Sequence, residues 1–290
     1  GGGLVGVGAT IRVLNLANNA RASAGGYLFA GGQIRVNGEV IENVEQTSVA
    51  FGGGFVGLGA SVSVINDTST AHAFIADGAT IDNAGSIFIT ATSNQTLDAF
   101  TTSVQGGAAA IGASFTRIAI GNSSATDTYA GIGSNVMIGQ GSGSVGDITI
   151  QAKSRISATL DTFAMAGGVV GLTFNFAYAD ITPDVRATIG GGTRINSTGA
   201  IRVLSGTDHY ARTEVFGLSV GGLAAGLSLA KSNLDATVSA EVGGHITADS
   251  VFISAGQNVD PLSLQAIHQA VGGGIRGAFA TAEAPAVGIA

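Results

Sequence analysis

Apolar positions alternate with polar or small ones at a period of two over most of this chain. In the segment 86–91, Ile87, Ile89 and Ala91 fall on one face, and Ser86, Phe88 and Thr90 on the other. That is the side-chain period of a β-strand. Helical periodicity is almost absent. One stretch, PLSLQAIHQAV at 261–271, reads as a short helix in isolation, but its register with the other return strands favours β. Glycine pairs followed by small apolar residues punctuate the strands. They are Gly1-Gly2, Gly52-Gly53, Gly106-Gly107, Gly167-Gly168, Gly221-Gly222 and Gly272-Gly273, at intervals of 51, 54, 61, 54 and 51 residues. Self-similarity at such a spacing marks a repeat architecture. The predicted units are 1–51, 52–105, 106–166, 167–220 and 221–271, with a partial sixth at 272–290. They fill the chain as one continuous array.

Each unit reads in the same order. A Gly-rich apolar stretch comes first, as in GGGFVGLGASVSVI at 52–65. A corner is expected next, at Asn15, Asn66, Asn122, Pro183-Asp184 and Asn233, because Asn and Asp tolerate left-handed backbone and bond to their own chain. Then follow A-x-I-x-x-G-x-x-I, a turn and I-x-I-x-A, as in FIADGATIDNAGSIFITA at 74–91. A last alternating segment returns to the next glycine pair. The longest unit carries an insertion around Gly139–Gly146. A unit of this kind cannot bury its own apolar face, but stacked copies can. The predicted fold is therefore all-β, a parallel β-solenoid of five full repeats and a partial sixth. At about two coils per repeat and about 4.8 Å per coil, some eleven coils make a rod on the order of 50 Å long. The alternative, an array of antiparallel β-sandwiches, is disfavoured by such short units without linkers.

Composition narrows the picture. Gly is 47 of 290 residues and charged residues are 11%, so small side chains and closely approaching backbones dominate. Hydrophobic residues at 45% exclude a disordered chain. The net charge of −7, with Lys153 and Lys231 as the only lysines, argues against a nucleic-acid partner. No run of 18 apolar residues offers a membrane-spanning helix, and alternating strands without Trp or aromatic girdles do not read as an outer-membrane barrel. The first residues already belong to a repeat, which reads as an internal or processed piece of something longer.

Candidate chemistry is sparse. Gly1/Gly3/Gly6, Gly52/Gly54/Gly57 and Gly272/Gly274/Gly277 match G-x-G-x-x-G, but a strand pattern follows where a dinucleotide site needs a helix. His72, His209, His245 and His268 are scattered over different units. Asp161, Asp180, Asp184 and Asp208 are the densest carboxylates. Asp180 and Asp184 flank a proline turn and are weak Ca²⁺ candidates, the competing reading being solvated corner residues. Asn66, Asn94, Asn122 and Asn196 open N-x-[ST] triplets of the frequency chance supplies. Thr90 and Thr92 do not recur as a flat threonine array. No catalytic residue and no cofactor is expected.

The stretches Ala187-Thr188-Ile189-Gly190-Gly191-Gly192, Gly199-Ala200-Ile201-Arg202-Val203 and Gly54-Phe55-Val56-Gly57-Leu58-Gly59-Ala60-Ser61 resemble the repeat region of very large bacterial exoproteins, the leukotoxin-like and filamentous-haemagglutinin-like adhesins. The resemblance covers essentially the whole chain and implies a parallel β-solenoid, export across the outer membrane and a role in adhesion or surface structure. It supplies no catalytic residues.

Three functions follow as expectations. The first is a structural segment of a secreted or surface-displayed bacterial fibre or adhesin, extracellular or at the cell surface. Its partners are further repeats or copies of itself, end to end. The second is a module that binds a host glycan or receptor through one face. The third is a solenoid polysaccharide-active enzyme, which needs carboxylates clustered in a groove.

Overall fold

The computed structural model describes residues 3–121, 126–257 and 268–282, the last as backbone only. Its regular structure is entirely β, eighteen strands in a sheet of five and a sheet of thirteen. The five-stranded sheet contains Val5–Leu16, Val56–Asp67, Ala109–Ile120, Val170–Ile181 and Leu223–Leu234. These strands pair in parallel and in register. Val5 lies beside Val56, Val56 beside Ala109, Ala109 beside Val170, and Val170 beside Leu223. The long strands Gln33–Gly53, Thr80–Gly106, Val145–Gly167 and Ala200–Val220 pair in the same way. This arrangement is compatible with a β-helix or solenoid.

The pairing corrects the expected two coils per unit. In every parallel pair the neighbour belongs to the unit before or after, never to the same unit. The physical reason lies in the long strands. The I-x-I-x-A segment and the return segment, read from sequence as two successive segments, join without a corner into one strand, 27 residues long at Thr80–Gly106. Without that corner the chain cannot close a second coil, so each unit makes one wide circuit. Five rungs at about 4.8 Å stand about 24 Å tall, half the expected height.

The far end also departs from expectation. Gly272 and Gly273 open no sixth parallel rung. They fall within His268–Ala282, which runs antiparallel along Thr237–Gln257. An antiparallel return satisfies an open ladder edge without the long crossover a parallel strand needs. Gly1, Gly2 and Asn122, and residues 258–267 and 283–290 of the last two predicted units, lie outside the described residues.

Along each circuit the interior changes character. The first part of the long strand packs on the short strands opposite it through Ile87, Ile89, Ile75 and Ile81, repeated in the next rungs as Ile148, Ile150, Ile132 and Ile138. A second cluster joins Leu97, Ile156 and Leu160 of the long strands to Ile65, Ile118 and Ile181 of the five-stranded sheet. Towards the glycine turns the inward positions become small and hydroxylic. There Ser61 Oγ donates to Ser48 Oγ (2.9 Å), Thr162 Oγ1 to Thr116 Oγ1 (2.7 Å), and Ser114 Oγ to the Phe163 carbonyl (2.8 Å). Each hydroxyl bridges the two sheets, which is what keeps a buried polar group affordable.

The glycine turns explain the repeat. Gly54, Gly107, Gly168 and Gly221 form one column, and a Cβ on each would meet the carbonyl oxygen of the glycine one rung below, Gly3, Gly54, Gly107 and Gly168, at 2.7, 2.4, 2.0 and 2.4 Å. The phase-setting residue is therefore the second glycine of the pair at 106–107 and 167–168, and the first at 221–222. A second fixed position is the glycine of A-x-I-x-x-G. Gly78, Asn135 and Gly192 take φ of 69°, 56° and 72° there, left-handed values that Gly and Asn tolerate. The expected corners fare differently. Asn15, Asn66 and Asn233 lie within strands, one residue before each strand ends. They stack instead of turning: Asn66 Nδ2 donates to Asn15 Oδ1 (2.9 Å), and Asn233 Nδ2 to Asp180 Oδ1 (2.9 Å). Pro183 sits in the connection from Val170–Ile181 to Asp184–Ile189.

A paired substitution tests the glycine column. Gly168→Ala forces a methyl onto a carbonyl oxygen, whereas a Cβ at Gly167 meets nothing within 4 Å. Urea unfolding should show a loss of about 1–3 kcal/mol for Gly168→Ala and a change under about 1 kcal/mol for Gly167→Ala. Equal effects would contradict the column.

Candidate functional site

Two inward columns carry the only buried carboxyl pair seen among the described residues. In the five-stranded sheet the column runs Leu16, Asp67, Ile120, Ile181, Leu234. In the long strands it runs Glu42, Gln95, Ile156, His209. At the boundary between the two apolar clusters, every rung of the five-stranded sheet but that of Asp67 carries Ile or Leu, while in the long strands Ile156 alone is apolar. The first two rungs place Glu42, Asp67 and Gln95 there, exposed by only 7%, 1% and 3%.

The polar groups satisfy one another. Asn18 Nδ2 and Ser69 Oγ donate to Glu42 Oε1 at 2.6 and 2.7 Å. Gln95 Nε2 donates to Asp67 Oδ2 at 2.7 Å and to Glu42 Oε2 at 3.2 Å. The Ser69 amide donates to Asp67 Oδ1 at 2.9 Å. Burial, then the hydrogen bond to Glu42, pushes the Asp67 carboxyl up to about 7. Burial works in the same direction on Glu42, but hydrogen bonds from Asp67, Ser69, Asn18 and Gln95 outweigh it and hold that carboxyl low. The two therefore share one proton, Asp67 donating to an ionised Glu42. Chemically this is a proton-holding pair. Both carboxyls are buried, and Gln95 Nε2 bridges them.

The carboxylates singled out from sequence lie elsewhere and are not brought together. Asp180 is bonded to Asn233. Asp184 holds Arg186 in an ion pair at 2.6 Å, and its amide donates to Asp127 Oδ2. Each is thus committed to its own partner, and no group of three His, Asp or Glu suited to a metal occurs among the described residues. Asp208 pairs with Arg155 across neighbouring rungs at 3.4 Å, both exposed. Asp161 lines a shallow cleft of about 440 Å³ on the outer face of the long strands, with Glu45, Asp98 and Phe100. Partial burial raises its carboxyl pKa, opposed by Arg212.

The histidines separate as well. His209 is buried in the Glu42 column, and burial holds its imidazole down to about 4. His72 is on the outer face of Thr70–Ile75, where it joins an aromatic row. Its ring meets Tyr129 edge-on at 5.9 Å, Phe74 lies 6.2 Å from Tyr129, and Arg21 sits over Phe74 at 4.7 Å. Sequence inspection passed over both this row and the carboxyl pair. The signal for the pair was present. Glu42 and Asp67 occupy the inward parity of Val40-x-Glu42-x-Val44 and Ile65-x-Asp67, where a solvated carboxylate has no place.

No family model, curated protein or solved structure matches this chain. No helix among the described residues is long and apolar enough to cross a membrane.

The pair makes stability depend on pH in a defined direction. Asp67 titrates higher folded than unfolded, so its contribution is full below the usual carboxylate pKa of about 3.9 and is lost as pH rises through about 7. His209 titrates lower folded than unfolded, so its contribution is lost as pH falls from about 6.5 to about 4. In Asp67→Asn the amide keeps a donor towards Glu42 and cannot ionise. The urea midpoint of the unsubstituted chain should drop between pH 5 and 8 relative to that of Asp67→Asn, the His209 slope cancelling in the comparison. Parallel profiles would remove the shared proton from the account.

Proposed function

We propose that this chain is a structural segment of a secreted or surface-displayed bacterial fibre or adhesin, built as a parallel β-solenoid with one coil per unit. The in-register stacking of whole units carries this reading. Successive units superimpose strand on strand, so the architecture extends by adding units without altering those already present. The first rung supports it further. Val5–Leu16, Asn19–Ala24 and Gln33–Gly53 each pair on one side only among the described residues. Such an edge accepts another rung, from further repeats of the parent chain or from a second copy end to end. The resemblance to leukotoxin-like and filamentous-haemagglutinin-like repeats points to the same extracellular setting.

A second reading, a module that grips a host glycan or receptor, is favoured by one observation. The row of Arg21, His72, Phe74 and Tyr129 runs up one face of the stack, and aromatic faces flanked by donors suit sugar rings and peptide side chains.

Electron micrographs of the native assembly separate the readings. The structural role predicts rods with an axial repeat of about 4.8 Å that continues across the junction from one chain to the next. Only short, separate particles under native conditions would count against it. Loss of surface attachment in Phe74→Ala, with rods unchanged, would move the function to the second reading.

A further inference from the structure

The five-stranded sheet turns an apolar face outward. Its inward positions near the glycine turns are Gly57, Gly59, Ser61 and Ser63 and their counterparts, while the outward positions are Val56, Leu58, Ala60, Val62 and Val64. The next rungs continue the outward rows. Leu58 is followed by Ile111 and Leu172, and Val62 by Phe115, Phe176 and Leu229. Phe174 and Leu227 are 38% and 53% exposed. Nothing among the described residues covers this face. The usual amphipathic order of a β-sheet, apolar in and polar out, is here reversed.

We infer that this face is an interface between two copies of the chain, packed sheet on sheet about a twofold axis that runs along the strands. Size is the first argument. Five strands at about 4.8 Å by the about seven residues that span the four outward apolar columns (those of Val56, Leu58, Ala60 and Val62) at about 3.3 Å give roughly 550 Å², and with the two polar columns beside them roughly 870 Å², close to the about 800 Å² per partner of a stable interface.

Relief is the second. One outward column reads Ala9, Ala60, Ala113, Phe174, Leu227, three small residues and then two large ones. A dyad along the strands superposes each column on itself and reverses the order of rungs. Phe174 then enters the depression at Ala60, Leu227 enters that at Ala9, and Ala113 faces its own copy. Such self-complementarity is what an isologous contact requires.

The margins are the third. The last outward column, Asn15, Asn66, Ala119, Asp180 and Asn233, is mostly polar. The same dyad sets Asn66 against Asp180 and Asn15 against Asn233, a hydrogen-bonding rim around an apolar centre. The column beside this rim reads Val13, Val64, Arg117, Tyr178 and Lys231; the dyad sets Arg117 near its own copy and Lys231 against Val13, at a margin from which both long side chains reach water. A bilayer fits less well. The chain carries −7 and no Trp, and although Arg117, Tyr178 and Lys231 share the column beside the rim, the sheet itself ends in Asn and Asp rather than in an aromatic belt. This pairing is lateral and does not depend on the end-to-end role proposed above.

The chain has no cysteine, so a single introduced thiol reports on one place. Sedimentation equilibrium of the unsubstituted chain should give about twice 28.4 kDa. Val62→Lys combined with Phe176→Lys, both outward, should return the monomer with an unchanged circular dichroism spectrum. In mild oxidant Ala113→Cys should cross-link to itself, while Thr159→Cys, on the outer face of the long strands, should not. The thiol experiment stands even if the double lysine variant fails to fold. A monomeric unsubstituted chain at high concentration, or a dimer that survives both lysines, overturns the inference. So does a monomer whose Ala113→Cys thiol resists maleimide, which assigns the face to a segment of the same chain, or one that embeds it in phosphatidylcholine vesicles, which assigns it to lipid.

Discussion

The structure depends on one interaction, the parallel backbone ladder between corresponding strands of successive units. Because the ladder runs in register, every residue sits on its counterpart one unit away, and a property of one position becomes a property of a column. The longest unit shows how firmly the register is held. Ile138 lies beside Ile81, and the ladder then resumes with Val145 beside Ala84 and Asp147 beside Ser86. The intervening additional residues leave as a loop and displace no strand. Hydrogen bonds shared by some twenty consecutive residues of the long strands outweigh any local preference that a few loop residues express.

Column logic accounts for the interior. Branched apolar columns fill the broad part of each circuit, and hydroxyl and glycine columns fill the narrow part, where the two sheets approach too closely for Ile. Small inward residues in that part leave the larger apolar ones facing outward, since alternation offers only two faces. The carboxyl pair lies at the boundary between the two apolar clusters. Its polar neighbours Asn18, Ser69 and Gln95 compensate its burial, the condition under which buried carboxyls are tolerated.

The strand period and the unit length were legible from Ile87, Ile89 and Ala91 and from the glycine pairs, because both are local patterns. The coil count was not. It turns on whether the chain bends between I-x-I-x-A and the return segment, and residues 91–95, Ala-Thr-Ser-Asn-Gln, look like a turn by composition yet lie within Thr80–Gly106. Register with neighbouring rungs overrode that preference. Asn15, Asn66 and Asn233 misled in the same way, since asparagine suits a ladder of side-chain amides as well as a corner. Of the site, the inward parity of Glu42 and Asp67 could be read, but their meeting could not. It requires knowing that the long strand of the first unit packs against the five-stranded sheet at the second unit's Asp67, and spacing within one sequence does not contain that contact.

The central claim is that each unit forms one coil, so that corresponding residues of consecutive units are nearest neighbours. Spin labels at Asn43 and Thr96, which are ladder partners on adjacent long strands, test it most directly. One coil per unit places their backbones one ladder spacing apart, about 5 Å, and predicts strong dipolar broadening of the continuous-wave spectrum. Two coils per unit would interpose a strand, set them about 10 Å apart and leave the broadening weak, which would contradict the account.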